Sequence, residues 1–189
     1  MKDFIDDISG AIKELNKGSI ILYPTDTIWG IGCDATNADG IKKIYRLKKR
    51  EEKKSMIILL ADENDIKKYV LHPSEKIIDF ISVQKKPTTA IFEQAINLPA
   101  ELINIDGSIA IRIVKDAFCE MLLQHLKRPL VSTSANISGG ASPKNFQLVS
   151  SKIKKGVGYI VQHRQNEMEL HQPSSIIKLN RNGEIEKIR

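Results

Sequence analysis

The chain is poor in cysteine, in aromatic residues and in long apolar runs, and each shortage removes a class of protein. Two cysteines, Cys33 and Cys119, in 189 residues provide neither a disulfide framework nor paired-thiolate metal spacing. The four histidines, His72, His125, His163 and His171, show no HxH or HxxxH spacing, which argues against a histidine-built metal site. No stretch approaches the roughly 18 apolar residues of a membrane-spanning helix. The N-terminal "MKDFIDDISG" begins with acids in an amphipathic pattern, unlike a secretory signal. These features predict a cytoplasmic protein with no membrane contact. Phosphate-loop, dinucleotide-binding and nucleophile-elbow glycine patterns are all missing, as are repeats, linkers and low-complexity tracts.

What remains is a chain of ordinary hydrophobic content, 41%, with a formal charge of +6. Its length suits one domain with a substantial core. Apolar residues from Phe4 to Leu15 recur at helical spacing, and Gly18 suits the position after the helix end. Residues 19–23 read as a buried strand. A second helix, capped by Asn37 or Asp39, turns Ile41, Ile44 and Leu47 inward. Strands are expected at "MIILL", "TTAIF", "SIAIRIV", "VGYIV", "SSIIKLN" and "EIEKIR". "DENDIKKYVL", "SEKIIDFISVQ" and "DAFCEMLLQHLKR" read as helices. Asn182-Gly183 suits a tight hairpin turn between the last two strands. Helices and strands that alternate, with a late hairpin, predict an α/β domain on a mixed sheet.

Three polar segments adjoin apolar strands. In "YPTDTIWGIGCD", Pro24 ends ladder pairing, Thr25, Asp26 and Thr27 present hydroxyls and a carboxylate, and Gly30 and Gly32 relax the backbone. An ordinary turn into a helix would use the same residue types. In "LKKREEKKS", Lys48 shares the stripe of Ile41 and Ile44 at the end of a helix, so it reaches either water or a cleft. Together Lys48, Arg50 and Lys54 suit a triphosphate, the arginine as a planar fork and the lysines as point charges. "STSANISGG" has the small hydroxyl and glycine residues that let backbone N–H groups approach an anion, or else it is a flexible connector. Arg112 interrupts the apolar "SIAIRIV" and needs a carboxylate partner from protein or ligand, unless it points outward from an edge.

These segments, in order, resemble the YrdC/Sua5 family of L-threonylcarbamoyladenylate synthases, which serve t6A modification of tRNA. "GSIILYPTDTIWGIGCDA" is similar to the family's strand and PT-[DE]-T-x-x-G-L-G-C-D, and "LKKREEKKSMIILLAD" to its K-x-R segment. "SIAIRIV" resembles the arginine-bearing strand, "PLVSTSANISGGASP" the TSAN-x-SG loop, and "QPSSIIKL" the late serine strand. Where the family usually has prolines after Arg50 and Lys54, this chain has Glu51 and Ser55. The resemblance implies a single YrdC-like domain over residues 1–189, the short form, built as a twisted mixed sheet flanked by helices around a large concave basic cleft. It also implies synthesis of threonylcarbamoyl-AMP and pyrophosphate from L-threonine, bicarbonate or CO2, and ATP, with Mg2+ on the phosphates and no metal site of protein side chains alone.

Carried over by position, Thr27, Arg112, Ser132 and one of Ser174 or Ser175 would hold threonine, Arg112 by its carboxylate. Lys48, Arg50 and Lys54 would hold the triphosphate. Ser108, Ser134, Asn136, Ser142 and Arg189 would contact ATP or order its surroundings. Lys48, Arg50 and Arg112 would act in the catalytic step. Partners implied are tRNA and the complex that transfers the threonylcarbamoyl group. The competing reading is a non-catalytic tRNA- or double-stranded-RNA-binding module gripping phosphates with the same basic cleft. That reading explains the cations but does not require Thr27, Ser132, Ser134 and Arg112 to meet.

Overall fold

The computed structural model describes residues 4–51, 56–169 and 172–189. In chain order it contains α1 (Ile5–Asn16), β1 (Ile21–Tyr23), β2 (Gly30–Gly32), α2 (Ala38–Lys48), β3 (Ile57–Leu60), α3 (Glu75–Val83), β4 (Thr88–Phe92) and β5 (Ile109–Ile113). These are followed by α4 (Ala117–Leu126), β6 (Leu130–Ser134), α5 (Ser151–Lys155), β7 (Tyr159–Ile160), β8 (Ser175–Leu179) and β9 (Ile185–Lys187). The strands form one sheet in the order β7-β1-β2-β6-β3-β5-β4-β8-β9. It is mixed, as expected: β1/β7, β3/β5 and β4/β8 run parallel and the other neighbours antiparallel.

Local chemistry accounts for most element ends. The Asn37 side chain accepts from the Gly40 N–H at the start of α2, a cap worth about 1 kcal/mol. Asp116 does the same for α4 through the Cys119 N–H. Gly18 follows α1 with φ of 71°, the left-handed residue its sequence position suggests. Residues 62–71 depart from expectation. The Asp62 carboxylate caps a 3₁₀ helix over Glu63–Lys68 that buries only Ile66 and so never lengthens into an amphipathic helix. The last hairpin departs too. Its loop runs from Asn180 to Glu184, and only Gly183, not Asn182, has positive φ.

The sheet's two faces are covered unequally, and this makes the site. One face lies under α2 and α3, with Ile41, Ile44, Ile58, Ile77, Ile81, Ile111 and Val131 in one buried cluster. On the other face α1 and α4 pack on each other and on Ile21, Tyr23, Leu59 and Leu130. Residues paired across a ladder share a face. The register aligns Gly30 with Ser134, Ser132 with Ile57, and Arg112 with Thr89 and then Ile176. Two-residue steps along the strands put all of them on the face of Leu59 and Leu130. Part of that face is therefore apolar and roofed by helices, and the rest is polar and open.

Candidate functional site

The open part floors a cavity of about 240 Å3. Arg112 rises from β5 one residue before its end, 2% exposed, with its guanidinium among Thr27, Asp26 and the cavity. The loop after β1 is shaped to meet it. Thr25 Oγ1 donates to the Ile28 carbonyl at 2.9 Å and accepts the Thr27 N–H at 3.0 Å. With the Thr25 proton spent, Thr27 donates in the 2.8 Å hydroxyl pair between the two threonines. Thr27 Oγ1 thus turns its lone pairs outward, and one accepts from Arg112 Nη1 at 3.0 Å. Arg112 Nη2 lies 3.3 Å from Asp26 Oδ1, while its Nε–H is buried without a partner. Burial pushes the Asp26 carboxyl above the usual carboxylate range, with Arg112 pulling the other way.

The sheet brings most of the expected site residues together. Thr27, Arg50, Arg112, Ser132, Ser134, Ser142, Ser174 and Arg189 all line the cavity. The choice left open between neighbouring serines falls to Ser174. Its hydroxyl pairs with Thr89 at 2.8 Å and it walls the cavity, while Ser175 pairs with Thr88 in the ladder and does not. Arg189 donates to the Ser174 carbonyl through Nε and Nη2. Arg50 reaches the cavity because Lys49, at φ 49°, reverses the chain at the end of α2. Burial lowers the Arg50 pKa.

Other expected residues stand behind the wall. Lys48 is 1% exposed, and its Nζ donates to the Ser134 carbonyl and to the Asn136 carbonyl, the latter at 2.7 Å. It thus clamps the turn after β6 from beneath. Among the described residues its hydrogen-bond partners are these two carbonyls, and burial, followed by repulsion from Arg50, lowers its pKa to about 7. The Asn136 amide accepts from Ser134 and donates to the Ile137 and Gly140 carbonyls, folding the glycine loop on itself. The Ser108 hydroxyl is tied to Asn104 in the turn before β5. Lys54 lies outside the described residues. On α2, Lys42 pairs with Glu101 and Lys43 donates to the Gly18 carbonyl, so that part of the basic segment serves local ties.

Two features were misread or missed from sequence. Gly30 and Gly32 form strand β2 rather than a relaxed loop, and neither has positive φ. A Cβ on Gly32 would sit 2.1 Å from the Val131 carbonyl oxygen, so close strand approach requires the glycine. On Gly30 a Cβ would sit 3.4 Å from Ser132 Oγ, at the cavity wall. Strand β6 also runs on through Ser134, placing Ser132 and Ser134 on rigid sheet instead of in a serine-rich loop. A glycine-interrupted strand has no side-chain alternation to reveal it.

A family model of the Sua5/YciO/YrdC group, described as "Telomere recombination", matches residues 13–189. The chain is 32% identical over 157 residues to a protein of Pseudoalteromonas translucida named threonylcarbamoyl-AMP synthase, covering 82% of this chain and 84% of that one. Among solved structures it is similar to YciO of E. coli, with a TM-score of 0.83 at 19% identity, over 97% of this chain and 88% of that chain. It is also similar to P. abyssi Sua5 crystallised with L-threonine, with a TM-score of 0.81 at 21% identity, over 91% of this chain and 50% of that longer one. At such identities the two structures speak to fold alone.

Proposed function

The chain belongs to the Sua5/YciO/YrdC family, and we propose that its activity is the one its relatives are named for, threonylcarbamoyl-AMP synthesis. The substrates are L-threonine, bicarbonate or CO2, and ATP. The threonine amine adds to the carbon of CO2 and loses one proton, leaving a carbamate. A carbamate oxygen then attacks the α-phosphorus, the bond to the bridging oxygen breaks, and pyrophosphate leaves.

The observation that carries this reading is Arg112, a buried arginine with an unpartnered Nε–H at the edge of a polar cavity. Its fork suits an α-carboxylate, and the Thr27, Ser132 and Ser174 hydroxyls around the cavity suit an amine and a hydroxyl. Arg50, with Ser134, Ser142 and Arg189, takes the nucleotide. Lys48 acts through the Ser134–Asn136 turn it clamps, and Ser108 and Ser175 make no direct contact in this reading. Among the described residues no three His, Cys, Asp or Glu side chains are grouped to hold a metal. In this reading Mg2+ travels with the triphosphate, where it would neutralise charge on the departing pyrophosphate. Catalysis then rests on holding carbamate and α-phosphorus in line and on fixed donors around the developing charge. The mixed-anhydride product is prone to hydrolysis, which calls for prompt consumption by a tRNA-modifying partner. Phosphate-gripping RNA binding needs cations but leaves the convergence of Thr27, Ser132, Ser174 and Arg112 unexplained.

The test is product formation from 13C-bicarbonate with ATP, Mg2+ and L-threonine, followed by mass spectrometry. A threonylcarbamoyl-AMP species carrying one 13C is expected. ATP cleavage without that species would overturn the assignment.

A further inference from the structure

The residue behind Arg112 has a part that the substrate-holding groups do not explain. Asp26 does not wall the main cavity. It borders a separate small cavity, beside Gln84, Lys85, Lys86 and Lys115, that Arg112 does not line. Its Oδ1 is buried, has no hydrogen bond, and lies 3.3 Å from Arg112 Nη2. The Thr25 hydrogen bonds and the Cys119 thiol on the Pro24 carbonyl pin the loop on both sides of it. Asp26 is therefore held on a rigid segment, facing an arginine rather than solvent.

A guanidinium has five N–H donors in one plane, and its usefulness depends on which of them face the ligand. Here Thr27 takes one N–H of Nη1 and Asp26 faces Nη2, while the buried Nε–H is left over. Two anchors fix the plane of a fork where one would let it rotate. The carboxylate also supplies a counter-charge for a cation that would otherwise be buried alone before the ligand arrives.

We propose that Asp26 is a positioning residue for Arg112: it fixes the guanidinium plane so that the N–H donors not engaged by Thr27 and Asp26 are presented to the substrate carboxylate. The inference rests on the threonine reading above and deepens it. Asp26 touches no substrate itself, and its influence passes through Arg112 alone. Loss of the carboxylate is therefore felt by threonine and not by ATP.

The experiment is a double-mutant cycle on the full chain, with L-threonine and ATP affinities measured separately by calorimetry. Asp26→Asn keeps the shape of the side chain and removes its charge. It is expected to weaken threonine binding about tenfold while ATP affinity stays within about twofold, the loss of one charge-assisted contact. In the Arg112→Lys background, itself expected to weaken threonine about tenfold or more, the same change should cost less than about twofold, because the group it acts through is gone. Asp26→Glu, which keeps the charge, should retain threonine affinity within about threefold, and it decides the matter if Asp26→Asn does not fold. Equal effects in both backgrounds, equal weakening of ATP, or no effect of Asp26→Asn would overturn the proposal. If the unsubstituted protein binds no threonine, the threonine reading itself fails.

Discussion

A buried lysine that donates to two backbone carbonyls is the least expected residue of the molecule. Its position on the Ile41–Ile44 stripe was readable from spacing, and that spacing left two outcomes, water or cleft. Neither occurs. The tail of Lys48 stays under the wall and donates to two backbone carbonyls, a contact between residues far apart in sequence that no local pattern encodes. The charge has a measurable consequence. With the folded pKa near 7 and the ordinary value at 10.5, the unfolded chain binds a proton between those values that the folded chain does not. Through this residue stability rises with pH across that window, and below about pH 7 the folded state carries the full cost of the buried charge. Lys48→Met removes the titrating group. Urea unfolding at pH 6 and pH 9 should show the variant gaining on the parent at pH 6, by on the order of 2 kcal/mol relative to pH 9. Parallel pH dependence in parent and variant would show that Lys48 keeps an ordinary pKa.

Among the elements, β2 shows what sequence reading could not see. The opening polar stretch reads as either a site or an ordinary turn, and Thr25 and Thr27 form its structured loop. The two glycines nearby read as freedom for the backbone, but both lie in the ladder, and Gly32 is room for the neighbouring strand. In a strand, glycine marks close approach as often as weakness, and only the register of β2 on β6 tells the two apart. The two positions should respond differently. Gly32→Ala drives a methyl into the Val131 carbonyl, and such overpacking against backbone is expected to cost about 3 kcal/mol, a fall of roughly 10 °C in Tm. Gly30→Ala meets the Ser132 hydroxyl and the Thr133 carbonyl at 3.4 Å and the Tyr23 ring at 3.6 Å, all ordinary contacts, so Tm should stay within about 3 °C while the cavity narrows and activity falls. Equal thermal loss at both glycines would contradict the register. β6 teaches the same lesson in reverse, since a run of serines and threonines reads as loop by composition yet is held as strand by β2 and β3.

For the whole molecule, the α/β class and mixed sheet are legible because apolar strand runs alternate with amphipathic helices and the chain ends in a hairpin pattern. The site was legible as three polar segments, with nothing local to say that they converge. What joins them is sheet order: β5 in the middle, β6 and β2 on one side, β4 and β8 on the other, with α1 and α4 covering only part of the shared face. The cavity is the part of a sheet face that two helices leave bare. Its floor is therefore rigid strand, and hydroxyls such as that of Ser132 are set by ladder hydrogen bonds. A rigid polar floor suits a reaction whose catalysis is mostly placement.

Pyrophosphate release from ATP and Mg2+ tests this account most directly, with L-threonine and bicarbonate added alone and together. Release that requires both, and that falls with Arg112→Lys in parallel with lost threonine affinity, is the predicted result. No release under any combination, in a protein that binds RNA tightly and with steep salt dependence, would contradict it and make the cavity a phosphate-gripping surface instead.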